Sequence, residues 1–307
     1  MRTILLLSLT LWTLGGQTRD ASIAISALGQ VYDASAASLL VFTGTPGTAR
    51  VTVKTHAAPD GRCIYGGPAA QWFCVSAEGQ VSVSASDGSS SRALDVPAGP
   101  SALIVSGSGS ALALWYADLH QLYVVTGAGS TVRMMQPTAP VAQLLAVSDD
   151  GALALARGDD ACAWLLAPDE TPRCVQNGDG DVTGAFAPER RVLLAYRQSG
   201  KVYVARAGDS TAQLIAGPAD GIVEPVAVLA AGSHAYVADR GAGVIHAIDL
   251  ETGTIRAIPS PAQPSQFLPV GRELYLTTGL ASGSLILLET GPAARIAAAT
   301  LAGGGAQ

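Results

Sequence analysis

Short apolar segments recur along the chain at a nearly constant spacing. Six of them are AQWFCV, ALALWY, ALALAR, RVLLAY, HAYVAD and ELYLTT, which begin at Ala70, Ala111, Ala152, Arg191, His234 and Glu273. Their successive starts differ by 41, 41, 39, 43 and 39 residues, and a fainter copy, ASLLVF, begins 33 residues before the first. A period of about 40 residues with several short strands per unit predicts a repeat protein built from β-strands.

One repeat, from Pro225 to Ile258, can be divided strand by strand. The pieces PVAVLA, AYVAD, VIHAIDL and TIRAI are separated by the turn-like AGSH, RGAG and ETG. Side chains alternate between the two faces of a strand, yet both sets are mostly apolar here. A sheet covered on both faces by its neighbours is expected to have such strands. A two-layer sandwich is the alternative, although it would show a cleaner apolar and polar alternation.

The repeats predict one all-β domain over residues 22–303, a single β-propeller with four antiparallel strands per blade. A single blade cannot bury its own faces, so a closed ring of stacked blades supplies the core. The segment from Ser22 to Thr55 has four strand-like pieces, which favours seven blades. Six blades, with an N-terminal strand donated to the last one, are the alternative. Residues 304–307 are expected to be a disordered tail.

Composition excludes some partners. The chain has 307 residues, of which 49% are hydrophobic and 14% charged, with 35 glycines and a formal net charge of −6. It has no basic run, and binding to nucleic acid or to anionic lipid through charge requires clustered lysine and arginine. We therefore expect neither of these partners.

The N-terminus resembles an export signal. Arg2 precedes the apolar run from Ile4 to Leu14, and the small residues Gly15 and Gly16 follow it. The run is too short to span a membrane comfortably. We expect residues 1–21 to contain a signal peptide that is cleaved at a point between Gly15 and Ala21, and the mature protein to be periplasmic or secreted without a membrane segment. An uncleaved N-terminal anchor is the alternative.

The four cysteines agree with export. Cys63 and Cys74 are eleven residues apart, Cys162 and Cys174 are twelve apart, and each pair brackets a turn-like centre, GGPA or APDETP. If each segment is a hairpin, its two cysteines lie almost opposite each other on paired strands, within reach of a disulfide. Zinc sites usually use a closer C-x2-C spacing. Two local disulfides are therefore predicted.

The stretch AYVADRGAGVIHAIDLETGTI resembles the YVTN and NHL-like propeller repeats of exported bacterial proteins. The matching positions are Tyr236, Val237, Asp239, Gly243, Ile248, Asp249, Thr252 and Gly253. Partial matches occur in KVYVARAGDSTAQLI and QLYVVTGAGSTVRMM, so the resemblance extends over residues 100–300. It implies a propeller fold and an exported location, but little about activity, since propellers include enzymes, receptors and scaffolds.

One oxygen-rich stretch, NGDGDVTG, is a candidate metal site. Asn177, Asp179 and Asp181 alternate like the first ligands of a calcium loop. However, Val182 occupies the position where that loop needs glycine, and Pro188 the one where it needs glutamate. We therefore interpret the stretch as a polar turn and expect no cofactor, with a weak structural calcium site as the alternative.

The other polar and aromatic positions suggest structural roles. No two of His56, His120, His234 and His246 have a metal-ligand spacing. The segments Ser148–Gly151 and Asp159–Asp160 are interpreted as turns, and Trp72, Trp115 and Trp164 as packing residues. No catalytic residue can be assigned, because the serines lack G-x-S-x-G and no pair among 24 acidic residues stands out.

These features favour a non-enzymatic binding module. We expect a protein or carbohydrate ligand above the central channel and a monomeric protein. Alternatives are a hydrolase or lactonase-like enzyme with its site at the channel mouth, and a structural envelope protein. Three or more acidic, asparagine or histidine side chains converging at the channel mouth would favour the enzyme.

Overall fold

The computed structural model describes residues 27–33, 38–55, 61–66, 71–85, 90–127, 129–178, 180–209, 211–271, 273–280 and 284–301. These residues form β-strands joined by turns, with two short 3-10 segments at Pro46–Thr48 and Pro218–Asp220. The predicted signal peptide, His56, Asp179 and the predicted C-terminal tail lie outside the described residues. No helix of the described part has the length and apolar character needed to cross a membrane.

The described residues contain twenty-seven strands, numbered in chain order, which form six sheets. The first three are β1 (Ala27–Asp33), β2 (Ser38–Thr43) and β3 (Arg50–Thr55). Sheet I follows with β4 (Gly61–Gly66), β5 (Gln71–Ser76), β6 (Val81–Ala85) and β7 (Ser91–Ala93). Sheet II has β8 (Ala102–Val105), β9 (Ala111–Tyr116), β10 (Gln121–Thr126) and β11 (Thr131–Met135). Sheet III has β12 (Val141–Val147), β13 (Ala154–Gly158), β14 (Cys162–Leu166) and β15 (Arg173–Asn177).

Two further four-stranded sheets and the last strands complete the chain. Sheet IV has β16 (Val182–Ala187), β17 (Arg191–Tyr196), β18 (Lys201–Arg206) and β19 (Gln213–Ala216). Sheet V has β20 (Pro225–Ala231), β21 (His234–Asp239), β22 (Val244–Asp249) and β23 (Ile255–Pro259). The last strands are β24 (Leu268–Pro269), β25 (Leu274–Leu276), β26 (Leu285–Glu289) and β27 (Arg295–Leu301). In sheets I to V the strands pair antiparallel in chain order.

The N-terminal and C-terminal strands form one sheet, here called the closing sheet. Its order is β1-β2-β3-β27-β26-β25-β24, and β27 pairs parallel with β3 through Thr300 with Arg50 and Leu301 with Val51. The prediction of seven blades with four strands each is therefore wrong, because the structure has six sheets, five of four strands and one of seven. The six-blade alternative also differs, since three strands rather than one join the last unit.

The physical reason for the difference lies in the N-terminal strands. The pattern from Ser22 to Thr55 suggested four pieces, and three strands occur in the described part of that segment. The outer edge of β3 has no following antiparallel strand, and an open edge exposes unpaired backbone groups. The end of β27 pairs with that edge, as shown by the hydrogen bond from the Thr300 N–H to the Ala49 carbonyl.

Apolar clusters fill the spaces between successive sheets. Leu155 and Leu165 of sheet III, for example, pack in one buried cluster with Leu194 of sheet IV. Similar clusters lie between sheets I and II, II and III, and IV and V. The closing sheet packs on sheet V through Tyr275 and on sheet I through Leu39, so the series of sheets closes on itself.

The second strands, which show the repeat most clearly, are among the most completely buried. All six residues of β9 are buried, and five of the six in β17 and β21 are buried. This burial places the second strands between neighbouring sheets. Each large apolar side chain buried there contributes about 1.5–3 kcal/mol to the stability of the fold. The first strands β8, β12, β16 and β20 also contact each other in sequence.

Both predicted disulfides are present. Cys63 is bonded to Cys74, its direct partner in the β4–β5 register. Cys162 is bonded to Cys174, but the irregular β14–β15 register places Cys174 opposite Trp164 instead. All described cysteines are therefore paired, as the sequence predicted.

Candidate functional site

Five charged side chains form a continuous chain across three neighbouring sheets. We call Arg157, Asp181, Arg197, Glu224 and Arg240 the charged network. Each arginine lies at or just after the end of a second strand, and each acid directly precedes a first strand. The first and second strands of a sheet are antiparallel, so the start of one lies beside the end of the other. The registers Val182 with Tyr196 and Pro225 with Asp239 bring these ends together.

Glu224 is the centre of the network. The Arg197 Nε donates to its Oε1 at 2.8 Å, and the Arg240 Nε donates to its Oε2 at 3.2 Å. A second nitrogen of each guanidinium also donates to Oε1. Charge-assisted bonds of this kind are stronger than neutral ones and fix the orientation of both partners. Glu224 therefore connects sheet IV to sheet V.

Asp181 repeats this arrangement one sheet earlier. Its carboxylate lies 3.6 Å from Arg157 of sheet III and 3.8 Å from Arg197 of sheet IV. The contacts are longer than those of Glu224, and the Asp181 side chain is 68% exposed. In both places an acid before a first strand links an arginine of the preceding sheet to one of its own sheet.

A buried carboxylate supports the loop that contains Glu224. Asp239 is fully buried and accepts hydrogen bonds from the backbone N–H groups of Val223, Glu224 and Ala242 at 2.7, 2.9 and 3.0 Å. His246, which is 3% exposed, places its Nε2 3.3 Å from the same carboxylate. Asp239 thus fixes the backbone at Val223 and Glu224, before β20, and at Ala242, in the turn after Arg240. These hydrogen bonds compensate for burying its charge.

The electrostatics favour the ionised acids. Hydrogen bonds from Arg240 and then Arg197 lower the pKa of Glu224 from its usual value of 4.5 to about 2. Burial by itself would raise the pKa of Asp239, but the backbone donors and His246 outweigh it, so that pKa lies below its usual value. Both carboxylates are therefore charged at neutral pH.

An apolar side chain lies next to the network. Val223 precedes Glu224 and is 59% exposed, although it is a large apolar residue. Its methyl group lies close to Gly241, where a Cβ atom would approach it within 2.8 Å. The surface thus combines ordered, partly exposed arginines with an apolar residue.

Of the candidate calcium residues, Asn177 and Asp181 lie in the described part of the chain, and Asp179 lies outside it. Asn177 ends β15, whereas Asp181 contacts two arginines. Within the described residues, no group of three or more histidine, cysteine, aspartate or glutamate side chains could hold a metal ion.

Gly178 has a packing role, because a Cβ there would lie 2.1 Å from the buried Tyr196 ring.

The aspartate turns have the structural role expected from the sequence. Ser148 donates to the Asp150 carboxylate at 2.6 Å, and the Gly151 N–H donates to the Ser148 carbonyl at 2.9 Å. Asp149 instead accepts hydrogen bonds from the Ser108 N–H and hydroxyl, which joins sheet III to sheet II. Asp160 accepts from the Trp164 indole at 3.1 Å.

The histidines and tryptophans also have separate structural environments. His234 stacks on Tyr236 at the start of β21, whereas His246 pairs with Val237 three residues further along that strand. His120 contacts the edge of Trp115. Trp72 and Trp115 are buried in different clusters between sheets, and Trp164 packs against the second of these clusters.

Sequence reasoning missed the charged network, although the chain has a signal for it. The repeats ALALAR, RVLLAYR and HAYVADR all place an arginine at or after the end of the second strand. Asp181 and Glu224 occupy equivalent positions before the next first strands. A repeat alignment that compared charges as well as apolar positions would have found this pattern.

The stacked sheets and the closed core define the chain as a β-propeller. No family model and no curated protein match it. A chain in the solved structure "Crystal Structure of Mitotic Checkpoint Complex" is 14% identical, with a TM-score of 0.53 over 74% of each chain. A chain in "Crystal structure of Nidogen/Laminin Complex" is 11% identical, with a TM-score of 0.44 over 78% of this chain and 95% of that chain. The first similarity supports the fold alone.

Proposed function

We propose that the protein is an exported β-propeller that binds a partner protein through the charged network and Val223. The observation that carries the proposal is the exposed apolar residue beside arginines that are already held in place. Arginine is enriched at protein interfaces, and an ordered side chain loses less entropy when a partner binds. The network would supply charge complementarity, and Val223 an apolar contact.

Export is part of this proposal. The apolar N-terminal run supports a signal peptide, and two disulfides are typical of proteins in oxidising compartments. The similar chain named above belongs to a complex, so this fold is compatible with a role in an assembly.

Affinity capture from the exported protein fraction of the source cells tests the proposal. The wild-type protein is compared with Val223→Ser and with the matched control Val53→Ser, since Val53 is an equally exposed valine on β3. Both changes affect surface residues, so the stability should change by less than about 0.5 kcal/mol.

A second pair of variants tests the charges. Arg240→Gln removes a network arginine, whereas Arg206→Gln removes an exposed arginine at the other end of a strand in sheet IV. The proposal requires a protein that is captured by the wild type and by both controls, but lost from Val223→Ser and Arg240→Gln. The same captured proteins for all five chains would overturn it.

A further inference from the structure

A groove lies between sheets II and III, away from the charged network. One wall is the end of β11 and the residues after it, including Met134, Met135 and Pro137. The other wall is the end of β14 at Leu166 and the turn after it, including Asp169 and Glu170. Its volume is about 280 Å³.

The groove is lined by both buried and exposed apolar side chains and is partly open to solvent. Met135 and Leu166 are buried, whereas Met134 is 50% exposed and is one of five large apolar side chains exposed in the described part of the chain. Methionine adapts its shape to different apolar partners, and it is common at surfaces that bind peptides. The volume lies just below the usual range for small-molecule pockets and is large enough for one apolar side chain.

The second wall provides negative charge. Asp169 and Glu170 are exposed, and neither forms an ion pair within the described residues. Asp169 adopts a left-handed conformation, with φ at 59°, at the tip of the turn. The disulfide between Cys162 and Cys174 joins the two strands that flank this turn. The acidic wall is therefore held in place before any partner binds.

We propose that the groove binds an extended segment of a partner protein in which one apolar side chain lies next to lysine or arginine. The apolar side chain enters between Met134 and Leu166, and the basic residue faces Asp169 and Glu170. Charge complementarity selects the partner, since an acidic segment would be repelled by the same wall. This site is separate from the surface of the proposed function and does not depend on it.

Methyl NMR with short peptides tests the groove directly. The chain has three methionines, Met1, Met134 and Met135, and Met1 lies in the predicted signal peptide, so the two methionine methyl signals of the mature protein both report on the groove. The peptide GGKLKGGS is titrated into the protein, with GGELEGGS and GGKSKGGS as controls for charge and for the apolar side chain. Saturable shifts of the two groove signals with the first peptide alone support the proposal.

Charge variants then locate the contact. We expect the double variant D169N/E170Q to weaken binding of the first peptide by roughly three- to tenfold. The matched control E251Q, in the corresponding turn of sheet V, should leave binding unchanged. Unchanged binding to D169N/E170Q, equal binding of GGELEGGS, or no saturable shift with any peptide would each overturn the proposal. Val223→Ser should not affect the titration, which separates this result from the test of the proposed function.

Discussion

Arg197 and Glu224 lie in neighbouring sheets, and the Arg197 guanidinium donates two hydrogen bonds to one oxygen of the Glu224 carboxylate. The contact joins the end of a second strand to the start of the next first strand. Asp181 and Arg157 repeat it one sheet earlier. The propeller is thus held together by polar contacts at one end of its strands as well as by the apolar layers between its sheets.

The first prediction concerns pH. The pKa of Glu224 is lower in the folded protein, about 2, than its usual value of 4.5, so its ionisation favours folding above pH 4.5. This contribution is lost as the pH falls from about 4.5 to about 2. We expect Glu224→Gln to lower the free energy of unfolding at neutral pH and to reduce its decline over that acid range.

Urea unfolding at several pH values measures this effect. Glu251→Gln is the control, because Glu251 is an exposed turn residue outside the network. A Glu224→Gln protein whose stability changes with pH in parallel with the wild type would contradict the role assigned to Glu224.

The second prediction concerns Gly178. A Cβ atom at this position would overlap the Tyr196 ring, which is buried and donates its hydroxyl hydrogen to the Gln176 carbonyl. Overpacking of a core costs about 1–3 kcal/mol, so Gly178→Ala should lower the free energy of unfolding by that amount. Gly208→Ala is the matched control, because nothing lies within 4 Å of its added Cβ. Equal stability of the two variants in urea would disprove the packing role.

The third prediction concerns the cysteines. Both disulfides close loops of similar length, so each should stabilise the fold by about 2–3 kcal/mol. The purified protein, unfolded without reductant, should give no reaction with a thiol reagent, and reduction should release four thiols. Four reactive thiols before reduction would be incompatible with the two bonds. The double variants C63A/C74A and C162A/C174A measure how much each disulfide contributes to the free energy of unfolding.

The fourth prediction concerns the turn between β16 and β17. Glu189 and Arg190 both have positive φ angles, 60° and 56°, at the two central positions of the turn closed by the hydrogen bond from the Arg191 N–H to the Pro188 carbonyl, as a type I′ turn requires. Asparagine followed by glycine adopts this geometry with less strain, so the double variant E189N/R190G should raise the free energy of unfolding by about 1 kcal/mol. Thermal and urea unfolding test this, and a stability equal to or below that of the wild type would refute it.

Much of the fold could be predicted from the sequence because its signal is local and repeated. The predicted second strands starting at Ala111, Arg191 and His234 begin at those same residues in the structure. The cysteine pairs were also predictable, since each closes a single hairpin. Apolar periodicity and short spacings are the features that a single sequence shows most directly.

The closing sheet and the charged network could not be predicted in this way. Pairing between Arg50 and Thr300 depends on distant parts of the chain, and no local pattern distinguishes it from a separate N-terminal unit. The ion pair of Arg197 with Glu224 depends on how sheet V packs against sheet IV. Tertiary contacts of this kind follow from the assembled fold rather than from any one segment.

The parallel pairing of β3 with β27 has a consequence for the order of folding. The strand β27 covers the outer edge of β3, so the closing sheet is complete only after Thr300 and Leu301 have been synthesised. Bringing such distant residues together costs the largest loop-closure entropy in the molecule, whereas each internal hairpin forms locally. We therefore expect the pairing of β3 with β27 to form last during folding and to open first during unfolding.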